Sequence, residues 1–130
     1  MTLVLDTSIL ISLEKGDRST INAIESLKET YPSPPAVTFM NYFEFLFGIQ
    51  GRLPKNKGEA ISFIELFQFL DATKKSATIL ADLKRKYENL GKSFSLSDLL
   101  IISQVIENSM TLVTRDKHFK DIDELKKIIL

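Results

Sequence analysis

A chain of 130 residues is long enough for one substantial core, since a domain of this size buries roughly two-thirds of its unfolded surface, and too short for a second ordinary domain. Its 44% hydrophobic and 26% charged residues exclude a disordered polymer, and Lys plus Arg balances Asp plus Glu at 17 each, so no basic excess announces nucleic acid. Cysteine is absent, which removes disulfides, thiolate metal sites and a cysteine nucleophile; any metal must be held by oxygen or by the one imidazole, His118.

The chain opens on Met-Thr-Leu-Val-Leu-Asp, without a basic leader or an apolar run long enough for a signal peptide or a bilayer crossing, and is read as cytoplasmic. Thr2 to Leu5 reads as a short buried strand, stopped by Asp6-Thr7-Ser8, whose small polar side chains suit the cap of a helix running from Ile9 toward Gly16. Ile21, Ile24, Leu27 and Tyr31 then recur at helical spacing until Pro32, Pro34 and Pro35 end the run. Ala36 to Phe39 has the content of a strand, and Met40 to Ile49, too apolar for a surface helix, predicts a mostly buried one ending at Gly51.

Arg52 to Gly58 reads as a basic loop, and Ile61, Phe63, Ile64, Phe67 and Leu70 predict a further helix with a wide apolar face. Lys75 to Leu90 carries Ile79, Leu80, Leu83 and Tyr87 on a basic helix stopped by Gly91. Ser97 is the expected N-cap of a helix over Asp98 to Glu107; Thr111 to Thr114 is a β-branched strand halted at Arg115-Asp116, and Lys127 to Leu130 a last edge strand. Strands alternating with helices, with no hairpin signal between them, predict one α/β domain: an α/β/α sandwich around a central parallel sheet.

In such a sheet the functional crevice lies beyond the carboxyl ends of the strands. Asp6 directly follows the first strand and Asp116 follows the strand Thr111 to Thr114 after one arginine, so these strands, if neighbours, would deliver both carboxylates to one edge. Asp98 at the start of a helix and Glu44 in the first turns of another point to the same edge. Four carboxylates at one edge repel each other, and divalent cations relieve that repulsion; oxygen-only ligands suit Mg2+ or Mn2+. A site of this kind activates water and stabilises charge in an in-line phosphodiester displacement. Each acid also has a plainer reading: Asp6 and Asp98 as helix caps, Asp116 as a turn residue. Glu44 is hardest to explain that way, because Phe43, Phe45, Leu46 and Phe47 surround it and an unpaired buried carboxylate costs several kcal/mol.

Taken together, the run Leu3-Val4-Leu5-Asp6-Thr7-Ser8, the apolar helix with Glu44 and Gly48, the segment Leu96-Ser97-Asp98-Leu99-Leu100-Ile101-Ile102 and the segment from Thr111 to Phe119 resemble a PIN domain. Their order and spacing are most similar to VapC-type toxins of VapBC toxin-antitoxin pairs, across essentially the whole chain. The resemblance implies an Mg2+- or Mn2+-dependent endoribonuclease leaving a 5′-phosphate and a 3′-hydroxyl. Asp6, Glu44, Asp98 and Asp116 take the family's acidic positions, Asp6 and Asp98 foremost as metal ligands, while Ser8 and Thr114 match hydroxyls that support the acids by hydrogen bonds. A homodimer and a small antitoxin lying over an apolar groove are implied too, with Phe43, Phe47, Phe63 and Phe67 as candidate contacts against the commoner use of each in a core.

Two segments depart from the family pattern: Asn41-Tyr42-Phe43 before Glu44, and Ser103-Gln104-Val105 after the third acid's apolar run, which bear on helix packing and substrate choice. His118 is expected to be packed and hydrogen-bonded rather than chemical. Arg52, Lys55, Lys57, Lys84, Arg85 and Lys86 are expected on solvated faces, and Arg115 beside the acids is the better single contact for RNA. A haloacid-dehalogenase-type phosphotransferase needs a second Asp where Ser8 stands, and a dinucleotide fold needs a glycine-rich turn that Asp6-Thr7-Ser8-Ile9 lacks. The alternatives that remain are a PIN-like binding or scaffold module with vestigial acids, and an RNA-maturation nuclease without an antitoxin.

Overall fold

Successive strand residues face opposite sides of a sheet, so a three-residue strand buried throughout serves two cores at once. In the computed structural model, which describes residues 1–130, β1 (Leu3–Leu5) does this: Leu3 and Leu5 enter one apolar cluster and Val4 the other. β2 (Ala36–Thr38) and β4 (Thr111–Thr114) divide the same way, with Val37 and Val113 beside Leu5, and Ala36 and Leu112 beside Val4. Val4 stands opposite both Ala36 and Leu112, so the three strands are in register at the centre of the sheet. β3 (Gln68–Leu70) and β5 (Lys127–Ile129) complete a five-stranded parallel sheet in the order β3-β2-β1-β4-β5.

Helices cover both faces. On the side of Leu5, α1 (Thr7–Glu14), α2 (Arg18–Leu27), α3 (Phe39–Ile49) and α4 (Pro54–Ile64) contribute Ile9, Leu10, Ile24, Phe45, Ile49, Ala60 and Ile64. On the side of Val4, α5 (Lys74–Asn89) and α6 (Leu96–Glu107) contribute Leu83, Tyr87, Leu99, Ile102 and Val105, and Phe119 from a 3₁₀ turn at Lys117–Asp121 closes that core. This is the α/β/α sandwich expected from the alternation of strands and helices. Gly91, past the end of α5, takes φ +71°, a left-handed conformation that glycine adopts without a Cβ penalty. No helix is long and apolar enough to cross a membrane.

Three local expectations are corrected. The stretch read as a basic loop is mostly α4, which begins at Pro54, because proline at the first helical position gives up an N–H that would have had no intrahelical acceptor. The apolar run to Leu70 is not one helix: α4 stops at Ile64, and Gln68–Leu70 pairs with β2 as an edge strand. Gln68 N donates to Pro35 O at 3.1 Å and Gln104 Nε2 to Leu70 O at 2.8 Å, and these long-range bonds outweigh the local helical spacing. Ser95 rather than Ser97 caps α6, its hydroxyl accepting from Asp98 N at 3.1 Å, which makes Asp98 the third residue of the helix.

Helix α3 is also less buried than its composition suggests. Asn41, Phe45 and Ile49 face inward, while Phe43 and Phe47 are 51% and 65% exposed and stack on each other with centroids 6.0 Å apart. Phe63 and Phe67 pack against the core instead, Phe63 lying 6.0 Å from the ring of Phe45 and 5.1 Å from that of Phe67. In urea unfolding of dilute protein, Phe45→Ala is expected to cost about 3–5 kcal/mol and Phe47→Ala less than about 0.5 kcal/mol. Equal losses would contradict this division of the helix.

Candidate active site

The carboxyl ends of β1, β2 and β4 lie side by side, and each ends on or next to a small polar residue. Asp6, the residue after β1, caps α1 and is 9% exposed. Every bond its carboxylate makes comes from a neutral donor: Oδ1 accepts from Thr7 N at 2.9 Å and from Asn41 Nδ2 at 3.0 Å, and Oδ2 from Thr114 Oγ1 at 2.6 Å. Such bonds to an ionised group each contribute about 1.5–3 kcal/mol, enough together to hold a nearly buried charge in place.

Asn41 is aimed by its own neighbours. Thr38, the end of β2, accepts from Asn41 N at 3.1 Å and donates its hydroxyl to Asn41 Oδ1 at 2.8 Å, which leaves Nδ2 as the group turned to Asp6. Nδ2 also donates to Thr7 Oγ1 at 3.0 Å, and Thr7 in turn donates to Glu44 Oε1 at 2.7 Å. One hydrogen-bonded path therefore runs from Asp6 through Asn41 and Thr7 to Glu44. On the other side of Asp6, Thr114 Oγ1 accepts from Asp116 N at 3.0 Å, so a single buried hydroxyl ties the end of β1 to the turn after β4.

Asp98 is half-buried on α6, and one of its carboxylate oxygens lies within 4.8 Å of both a carboxylate oxygen of Asp116 and a ring nitrogen of His118. Burial pushes the Asp98 carboxyl above its ordinary range; the charges of Asp116 and Asp6 push the same way, against the Ser95 hydroxyl and His118. None of the four acids is in an ion pair: the chain's bridges join Lys28 to Glu25, Arg52 to Glu14, Lys84 and Arg85 to Glu88, Lys86 to Glu124 and Arg115 to Asp17. The edge thus gathers negative charge that the protein does not neutralise.

Other positions differ from expectation. Ser8 is exposed and makes no side-chain hydrogen bond to the acids; its neighbour Thr7, at the start of α1, carries the hydroxyl that reaches Glu44. Arg115 donates to Ser12 Oγ at 2.9 Å and to Thr20 Oγ1, and lies 3.8 Å from Asp17, so it braces β4 against α1 and α2 because a carboxylate and two hydroxyls compete for its guanidinium. Lys84, Arg85 and Lys86 do lie on a solvated helix face, where they pair with Glu88 and Glu124, while Arg52 is half-buried against Glu14. His118 is exposed, stacked on Phe94, and beside the acids rather than packed away. Asn41 and Thr7 were legible in principle: Asn41 lies three residues before Glu44 on the same helical face, a polar pair in an otherwise apolar helix.

The model of the PIN domain family matches residues 3–125. This chain belongs to the PIN domain family. Ribonuclease VapC of Rickettsia bellii (strain RML369-C) is 34% identical to it over 135 residues, covering 97% of this chain and 94% of that protein. Ribonuclease VapC2 of Rickettsia felis is 28% identical over 129 residues, covering 96% and 95%. Among solved structures, VapBC2 from Rickettsia felis bound to a promoter DNA fragment superposes with a TM-score of 0.86 at 25% identity, covering 100% of this chain and 99% of that one. VapBC from Salmonella typhimurium, DNA-bound, reaches 0.84 at 17% identity over 99% and 98%, a likeness of fold.

Within this PIN domain the raised Asp98 carboxyl has a stability consequence of definite sign. The folded state holds the Asp98 proton more tightly than the unfolded chain, so the penalty is absent below the ordinary value of 3.8 and grows as pH rises through the raised one. In EDTA at pH 7, Asp98→Asn is expected to raise Tm by roughly 2–4 °C, with the gain vanishing in acid. A lower Tm for the variant at pH 7 would contradict the cost of burying the Asp98 charge beside Asp116 and Asp6.

Proposed function

We propose that this protein, as one PIN domain over residues 1–130, is a cytoplasmic Mg2+- or Mn2+-dependent endoribonuclease and the toxin of a VapBC-type pair. The observation that carries the reading is that Asp6 and Glu44 are held by neutral hydroxyl and amide donors, that carboxylate oxygens of Asp98 and Asp116 lie within 4.8 Å of one another, and that none of the four acids has an ion-pair partner. Hard oxygen donors lacking a cationic partner fit Mg2+ or Mn2+, and Asp6, Asp98, Asp116 and Glu44 would hold the ion. Bound there, it would supply an activated water and offset the charge of the phosphodiester, giving 5′-phosphate and 3′-hydroxyl ends.

The protein's own part is positioning. Asn41, Thr7 N and Thr114 fix both oxygens of Asp6 in one orientation and leave about one acceptor site, on Oδ2, for an ion. Glu44 is held at Oε1 only, and Oε2 accepts no hydrogen bond from the protein, which leaves that oxygen to take a proton from water at the site. The stacked pair Phe43 and Phe47 continues into exposed Phe39 and Phe69, an apolar face beside α3 that suits cover by an antitoxin or a second copy in a homodimer. Support for an antitoxin comes from the VapBC complexes among the structures this chain resembles.

Labelled RNA incubated with purified protein is expected to be cut with Mn2+ or Mg2+ and to stay intact in EDTA. Asp6→Asn and Asp98→Asn should each slow cutting at least ~100-fold, and Asn41→Ala, which frees Asp6 without removing a carboxylate, about 10–100-fold with partial recovery at higher Mn2+. Cutting that persists in EDTA or in Asp6→Asn would contradict the reading. No cutting by folded, antitoxin-free protein would favour a binding module instead.

A further inference from the structure

The acids do not stand alone at this edge. His118 is the chain's one histidine, and its ring nitrogen lies within 4.8 Å of carboxylate oxygens of both Asp98 and Asp116. The ring is exposed, yet it is not free to turn at random. It stacks on Phe94 with centroids 4.5 Å apart and planes 29° from parallel. Phe94 is held edge-on by Tyr87, 5.3 Å away at 82°, and Tyr87 is 2% exposed and donates to Glu124 Oε1 at 2.7 Å. A row of aromatic rings therefore runs from the core on the α5 side out to the imidazole. The backbone adds a second restraint: His118 N donates to Asp116 Oδ1 at 2.9 Å, so one turn positions both side chains. Neither ring nitrogen hydrogen-bonds to the protein, and no other contact satisfies them.

Asp6 differs in kind from this trio. Its two oxygens are already bonded to three neutral donors, whereas Asp98, Asp116 and His118 each bring one potential ligand atom within 4.8 Å of the other two. Two oxygens and a nitrogen within 4.8 Å of one another form the donor set of a transition-metal ligand group more than of a magnesium site. Mg2+ favours all-oxygen coordination, while Mn2+ accepts imidazole nitrogen beside carboxylates.

We propose that His118 is a metal ligand, its imidazole joining Asp98 and Asp116 in a mixed oxygen and nitrogen centre that selects Mn2+ over Mg2+. This rests on the metal-nuclease reading above, and the test separates the two. Electron spin-echo modulation of Mn2+ bound to the purified wild-type protein is expected to show coupling to a directly bound 14N, absent in His118→Gln. In calorimetric titrations His118→Gln should lose about 10-fold in Mn2+ affinity and keep its Mg2+ affinity within about 2-fold. Phe94→Leu, which leaves the imidazole and removes its stacking surface, should keep the nitrogen signal with a smaller loss of affinity. Mn2+ bound to wild type without nitrogen coupling, or equal losses for the two ions in His118→Gln, would overturn the assignment of His118 while leaving the carboxylate centre standing. Failure of wild type and variant alike to bind either ion would overturn both.

Discussion

The parallel pairing of β1 with β4 sets Leu5 opposite Val113, and so brings Asp6 beside Thr114 at the ends of the two strands. The 2.6 Å bond from Thr114 Oγ1 to Asp6 Oδ2 is what the rest of the edge is arranged around. Thr114 Oγ1 has one proton to give and lone pairs to spare; the proton goes to Asp6, and a lone pair accepts the N–H of Asp116. Carboxylates about 5 Å apart at an effective dielectric of about 20 repel by roughly 3 kcal/mol, so a cluster of them needs rigid support from its surroundings. Here that support consists of neutral donors, which hold the acids without cancelling their charge. A lysine or arginine in the same place would have stabilised the edge and closed it to a metal ion.

The sandwich was legible because its central strands carry their signal in very few residues. Leu3 to Leu5, Ala36 to Thr38 and Thr111 to Thr114 are short apolar or β-branched runs, each ending in a residue that starts a helix or turn, and a parallel sheet follows from helices between them. β3 was not legible. Three residues are too few to show alternation, and Phe67 and Leu70 continue by chance the helical spacing of Ile61 and Ile64 across the turn. Its identity as a strand depends on Pro35, Thr38 and Gln104, all distant in sequence. The start of α4 is hidden for a different reason: in a sequence, proline marks either a break or a beginning, and only the residues after it decide which.

The acids were legible one by one from their places after strands and at helix starts, but the groups that hold them were less so. Asn41 registers in the sequence only as a departure from the family pattern, yet it is the buried amide that joins Asp6 to Thr7. Ser8 and Thr7 are chemically alike, and which of them faces α3 is set by the rotation of α1, not by its composition. Arg115 sits next to an acid in sequence but is drawn to Asp17 across the fold, because an ion pair forms where the geometry allows and not where the chain is short. His118 reads as an unremarkable lone imidazole until the row of rings behind it becomes visible.

The account stands on the acids forming one cation centre at the ends of β1 and β4. Anomalous diffraction from crystals soaked in Mn2+ tests that most directly. The account predicts a manganese peak bounded by the side chains of Asp6, Asp98 and Asp116, with the Asp6 hydrogen bonds to Asn41 and Thr114 unchanged. Manganese bound only elsewhere on the protein, with these carboxylates left without an ion at saturating Mn2+, would contradict it.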